Sequence, residues 1–130
     1  MKLHLADSKN RYAVTGYGAG YLAVNTIRYE QSLVITPDQA PEPWPVLQFD
    51  ALDATAMAAL LEKRPEIIVL GTGATQRFAA PAVLRPLIEA GIGLETMNTP
   101  AACRTYNILA AEGRKVVAAL ILSAEPQAGG

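Results

Sequence analysis

Two short clusters hold the residue types on which chemistry could rest. Gly71, Thr72, Gly73 and Thr75 follow the apolar run Ile67–Leu70, and Cys103, Arg104 and Thr105 follow a Thr99-Pro100 pair that reads as a helix start. A glycine turn at the carboxyl end of a buried strand stands where ligands bind in open α/β sheets. A cysteine about one turn into a helix meets the positive end of the helix dipole, which favours the thiolate, and Arg104 beside it acts in the same sense. Threonine hydroxyls, amides and a guanidinium converge naturally on a carboxylate or phosphate. The seven residues together define a candidate anion pocket.

Each of them also has a plain structural reading. Gln76 stands where a dinucleotide fingerprint wants its third glycine, and no Lys-Ser/Thr pair follows as a P-loop requires, so Gly71-Thr72-Gly73 reads first as a tight turn. Cys103 falls at the margin of the helical stripe Ala102, Tyr106 and Leu109, and a buried, unreactive thiol is the favoured assignment. Its general base would have to be His4, the only histidine, in the first residues of the chain. Arg104 projects away from the stripe with Asn107, either as a surface arginine or as a pocket residue beneath the amino-terminal strands. Glu112 and Arg114 read as a local ion pair. No carboxylate pair has glycosidase spacing. We assign no catalytic residue, no metal ligand and no cofactor.

The 130 residues carry 12 acidic and 11 basic side chains, so no strong field recruits nucleic acid. One cysteine excludes an internal disulfide or a multi-cysteine metal site. No apolar run reaches the ~20 residues that span a bilayer, and the amino terminus turns polar too soon for a secretory signal. A cytoplasmic protein is expected.

The elements that must position these residues follow from hydropathy. Met1–Asn10 has no period and reads as a loose arm. From Tyr12 to Ile35 β-formers alternate with turns, Gly16–Gly20 being a bulged hairpin; three short strands, the last ending at Leu33–Ile35, make an amino-terminal meander. Four prolines between Pro37 and Pro45 force a surface crossing, with Trp44 as a lid on the core's edge. Asp53 caps a helix over Ala54–Glu62, stopped by Pro65. A second helix spans about Ala80–Ala90, with Pro86 either kinking it or splitting it. Leu94–Met97 is a strand, and Thr99 caps a helix with Pro100 at N1 that runs to about Glu112 before Gly113. Val116–Leu122 is a second fully apolar strand, and 124–130 reads as a flexible tail. Apolar strands separated by helices predict one α/β domain: a mixed, mostly parallel central sheet, helices on both faces, and the meander as an added layer.

Leu33-Val34-Ile35 with a following proline, Glu66–Gly73, and the block Met97-Asn98-Thr99-Pro100-Ala101-Ala102-Cys103-Arg104-Thr105-Tyr106-Asn107 with Glu112-Gly113-Arg114 resemble the small Mth-domain family of unknown function. The likeness covers about Tyr12–Leu122. The family's eukaryotic members include a mitochondrial assembly factor for respiratory complex I. The resemblance implies a three-layer α/β domain and an accessory or assembly role through a protein partner, a homodimer being compatible with it. Asn98 stands where the motif more often has aspartate. The alternative is a small-molecule binder or enzyme with its pocket between the Gly71–Thr75 turn and the helix starting at Thr99.

Overall fold

The computed structural model describes residues 11–122; the arm at Met1–Asn10, with His4, and the tail at 124–130 lie outside them. Three strands, β1 (Val14–Gly18), β2 (Tyr21–Val24) and β3 (Ile27–Tyr29), form an antiparallel meander. The register slips between Val14 and Gly16, which is the expected bulge. Then follow β4 (Leu33–Ile35), β5 (Glu42–Pro43), α1 (Ala54–Ala59), β6 (Ile67–Gly71), α2 (Pro81–Glu89), β7 (Gly93–Met97), α3 (Thr99–Ala111) and β8 (Val116–Leu120). A second sheet takes the order β5-β4-β8-β6-β7, parallel across β8-β6-β7 and antiparallel across β5-β4-β8.

One placement corrects the sequence reading. Leu33–Ile35 leaves the meander and joins the central sheet, antiparallel to β8 with Leu33 opposite Leu120. Its three side chains are all buried, so it needs cover on both faces, which only the central sheet supplies.

That sheet is sheathed on both sides, and the sides are read residue by residue. Val69, Val116, Ala118 and Leu120 pack with Ala102, Cys103, Tyr106 and Ala110 of α3, joined there by Val14, Leu22 and Val24 of the meander. Ile68, Leu70, Val117 and Ala119 point the other way, against Met57 of α1, Leu87 of α2 and Trp44. The period-two alternation of each strand therefore serves two separate apolar clusters. Trp44 is buried, its amide bonded to the Ser32 carbonyl at 2.9 Å.

Local chemistry sets the element ends. Asp53 caps α1 through the Ala56 amide at 2.8 Å. The helix tightens after Ala59 into a narrower turn over Leu60–Lys63 and ends at Arg64 in the left-handed region, φ 53°. Pro86 sits inside one continuous α2. For α3 the cap is Asn98, whose Oδ1 accepts the Ala101 amide at 2.8 Å, while Thr99 is already helical. Arg114 pairs with Glu66 at 3.2 Å rather than with Glu112, because Glu66 Oε1 also accepts the Lys115 amide at 2.9 Å and holds its carboxylate there.

Candidate functional site

The glycine corner and the tip of α3 meet, and they meet as a knot of hydrogen bonds. The connection after β6 leads to α2 on one face of the sheet and that after β7 leads to α3 on the other. The carboxyl ends of these two strands are therefore the switch point where open sheets bind ligands. Here the Gly73 amide donates to Thr99 Oγ1 at 2.9 Å, and that hydroxyl donates to the Ile121 carbonyl at 2.7 Å. The Thr99 amide returns a bond to the Gly73 carbonyl at 2.8 Å. Thr72 Oγ1 donates to the Thr75 carbonyl at 2.7 Å and accepts the Arg77 amide at 3.1 Å. Thr72 and Thr99 are buried, and among the described residues no buried side-chain N or O atom lacks a partner.

Glycine at 71 answers to packing rather than to a ligand. A Cβ there would lie 2.8 Å from Thr99 Oγ1 and 3.0 Å from Thr99 Cα. Gly73, at φ 106°, occupies backbone space that side-chain-bearing residues avoid.

The Cys103 cluster divides three ways. Cys103 is 1% exposed among the apolar residues facing α3. Burial pushes its thiol up to about 12, a larger effect than the Arg104 charge pulling it down. The protonated core thiol agrees with the favoured reading of a buried, unreactive cysteine, against the dipole-favoured thiolate. Thr105 turns to the sheet and donates to Met97 Sδ at 3.2 Å. Arg104 is exposed and donates to the Tyr17 hydroxyl, its guanidinium 6.0 Å from that ring.

Two clefts flank the Gly73-Ala74 loop. One, of about 260 Å³, lies between the β1–β2 hairpin and the tip of α3, with Tyr17, Gly18, Gly73 and Pro100 on its walls. The other, of about 290 Å³, lies toward Phe49, Asp50, Thr75 and Arg77. Gly73 reaches both, whereas Cys103, Arg104 and Thr105 line neither. Among the described residues no three His, Cys, Asp or Glu side chains are grouped to hold a metal, and no helix is long and apolar enough to cross a membrane.

Two features were missed from sequence. Asn107 clamps the meander, accepting the Val14 amide at 2.9 Å and donating to the Val14 carbonyl at 2.8 Å. Tyr106 beside it donates to the Tyr12 carbonyl at 2.6 Å. The signal was an amide and a phenol adjacent on one helix, both able to satisfy strand backbone. The second is the Arg77 clasp, where the guanidinium bonds Asp50 at 2.8 Å and covers the Phe49 ring at 4.6 Å, joining two loops beside the switch point.

Known proteins share this fold. A crystal structure from Bordetella parapertussis superposes with a TM-score of 0.80 at 40% identity, covering 87% of this chain and 97% of that one. A solution structure from Bordetella pertussis, described as a Mth938-like domain, gives 0.78 at 35% identity over 99% of this chain and 96% of that one. NADH dehydrogenase [ubiquinone] 1 alpha subcomplex assembly factor 3 of Bos taurus is 48% identical over 62 residues, 48% of this chain. That match spans about a third of the bovine protein, 34% of its length. With residues 14–121 matching the profile described as "Protein of unknown function (DUF498/DUF598)", the chain belongs to that family.

Proposed function

We propose that this chain is a non-catalytic accessory protein that works through protein contacts in the assembly of a larger complex. The observation that carries the reading is Leu47 and Phe78, 76% and 81% exposed. In sequence they neighbour Phe49 and Arg77, two of the three residues of the clasp just described. Large apolar side chains left exposed on loops joined by such a clasp favour a partner surface. Tyr17, Tyr21 and Trp44 supply no such exposed aromatic patch, since Trp44 is buried in the core.

Two further observations favour the reading. Similarity to proteins named as complex I assembly factors supports an assembly role. At the switch point the amides and hydroxyls that would receive a substrate are spent on one another. A lone buried thiol suits the cytoplasm, the compartment this reading assigns. The second reading, a small-molecule pocket between the Gly71–Thr75 turn and the tip of α3, rests on the 260 Å³ cleft at Gly73. Its walls offer tyrosine, proline and glycine more than anion donors.

The test compares the wild-type chain with a Leu47→Ser, Phe78→Ser double variant as bait in native lysate, with isotope-labelled quantification. The same partner should be retained by the wild type and by an Ile108→Ser control, and fall about tenfold or more on the double variant. Equal recovery on all three baits refutes the proposed surface.

A further inference from the structure

At the other end of the parallel strands, four segments enclose a cleft of about 470 Å³. It lies before β6 and β8 begin, opposite the Gly71 corner, and is independent of the accessory-protein reading. Its walls carry five basic side chains, Arg11, Lys63, Arg64, Arg114 and Lys115, against the two acids Asp38 and Glu62. This concentration stands on a chain whose net charge is −1.

Three of the five cations, Arg11, Lys63 and Arg114, have bonded partners. The Glu66 carboxylate ties down both the Lys115 amide and the Arg114 guanidinium, fixing the loop between α3 and β8. Arg11 donates to the Ala110 carbonyl at 2.7 Å, at the end of α3. Lys63 contacts Glu42 at 3.0 Å. The carboxylates of Glu42 and Glu66 are about half exposed, 55% and 48%, so these two pairs are weak enough to share their cations with a ligand. Arg11, Arg64 and Lys115 have no carboxylate within ion-pair distance among the described residues.

From this geometry we infer that the cleft binds a phosphorylated, hydroxyl-bearing small molecule. Guanidinium and ammonium groups on facing walls suit the several oxygens of a phosphate, to which arginine donates two parallel bonds. Asp38, Glu62 and the Thr36 hydroxyl share the same cleft and would accept from ligand hydroxyls. That mixture separates the expected ligand from a bare polyanion, which the two acids would repel. The volume is that of an ordinary small-molecule site.

The test titrates the isotope-labelled full chain by amide NMR with inorganic phosphate, pyrophosphate and adenosine diphosphate at matched ionic strength. Saturable shifts should centre on Arg64, Gly113 and Lys115, with adenosine diphosphate binding about tenfold or more tighter than inorganic phosphate. Lys115→Gln, which keeps the amide that Glu66 holds, should weaken binding about tenfold. Arg64→Gly should do the same while preserving the left-handed turn, and so reports on charge rather than folding. Shifts that do not saturate, that spread evenly over the surface, or that both variants leave unchanged overturn the proposal. Equal affinity for pyrophosphate and adenosine diphosphate overturns the hydroxyl-bearing class.

Discussion

Thr99 and Gly71 stand so close that a Cβ on the glycine would fall 2.8 Å from the threonine hydroxyl and 3.0 Å from its Cα. That hydroxyl is the bridge between the Gly73 amide and the Ile121 carbonyl. The switch point is thus closed by an internal ligand, the side chain of the first residue of α3. Thr99→Val keeps the shape and removes the bridge, leaving a buried donor and acceptor unpaired. We expect a loss of about 1–3 kcal/mol in urea unfolding, with Thr99→Ser costing much less. Gly71→Ala should cost about 1–3 kcal/mol by overpacking, since the nearest atoms include backbone.

Asn107 makes a separate prediction about the meander. Its amide satisfies both polar groups of Val14 at once, and Tyr106 and Arg104 reach Tyr12 and Tyr17 on either side. Asn107→Asp retains an acceptor for the Val14 amide but sets a carboxylate against the Val14 carbonyl. Amide exchange in β1 and β2 should accelerate in this variant while β6 and β8 stay protected. Uniform acceleration across both sheets would show that the meander does not open as a unit.

These relationships explain what the sequence made legible. The two-sided burial of Ile67–Leu70 and Val116–Leu120 was written in runs without polar interruption, and both strands appear in the sheet core. The same rule was available for Leu33–Ile35, but proximity to the Tyr12–Tyr29 β-formers drew it into the meander instead. The alternation in Tyr21–Val24, half-buried then buried, marks the true meander strand. The cap was misplaced by one residue because both Asn98 and Thr99 are good caps. Only coordinates reveal that Thr99 serves the sheet while Asn98 serves the helix. Arg104, Thr105 and Cys103 are adjacent in sequence yet point to the meander, the sheet and the core. Helical rotation of about 100° per residue separates them, and no composition argument reveals which neighbour each finds.

The Arg77 clasp predicts an effect on the loops without an effect on the core. Its ion pair with Asp50 is solvent-exposed, the two side chains 46% and 70% accessible, so Arg77→Ala should lower global stability by less than about 1 kcal/mol. It should nevertheless speed limited proteolysis near Leu47 and Phe78, because it frees the loops that carry them. Unaltered cleavage in those loops would mean that the surface is held by other contacts.

Cys103 gives the alkaline prediction. The unfolded thiol titrates near 9.0 and the folded one near 12. Between these values the unfolded chain loses a proton that the native chain keeps, so stability falls as pH rises. Its full contribution is present below about pH 9. Tyr106 acts in the same direction, its phenol raised above 10.0 first by burial and then by the Asp38 charge. Chemical denaturation from pH 8 to 11 should therefore show a steady decline in the wild type. Cys103→Ala should delay its onset to the range where tyrosine begins to ionise. In the native state an aromatic disulfide reagent should modify the thiol slowly, and rapidly once denaturant opens the α3 face. A fast native reaction at neutral pH would mean that Cys103 reaches solvent from its place beneath α3, and its share of the decline above pH 9 would vanish with it, leaving that of Tyr106.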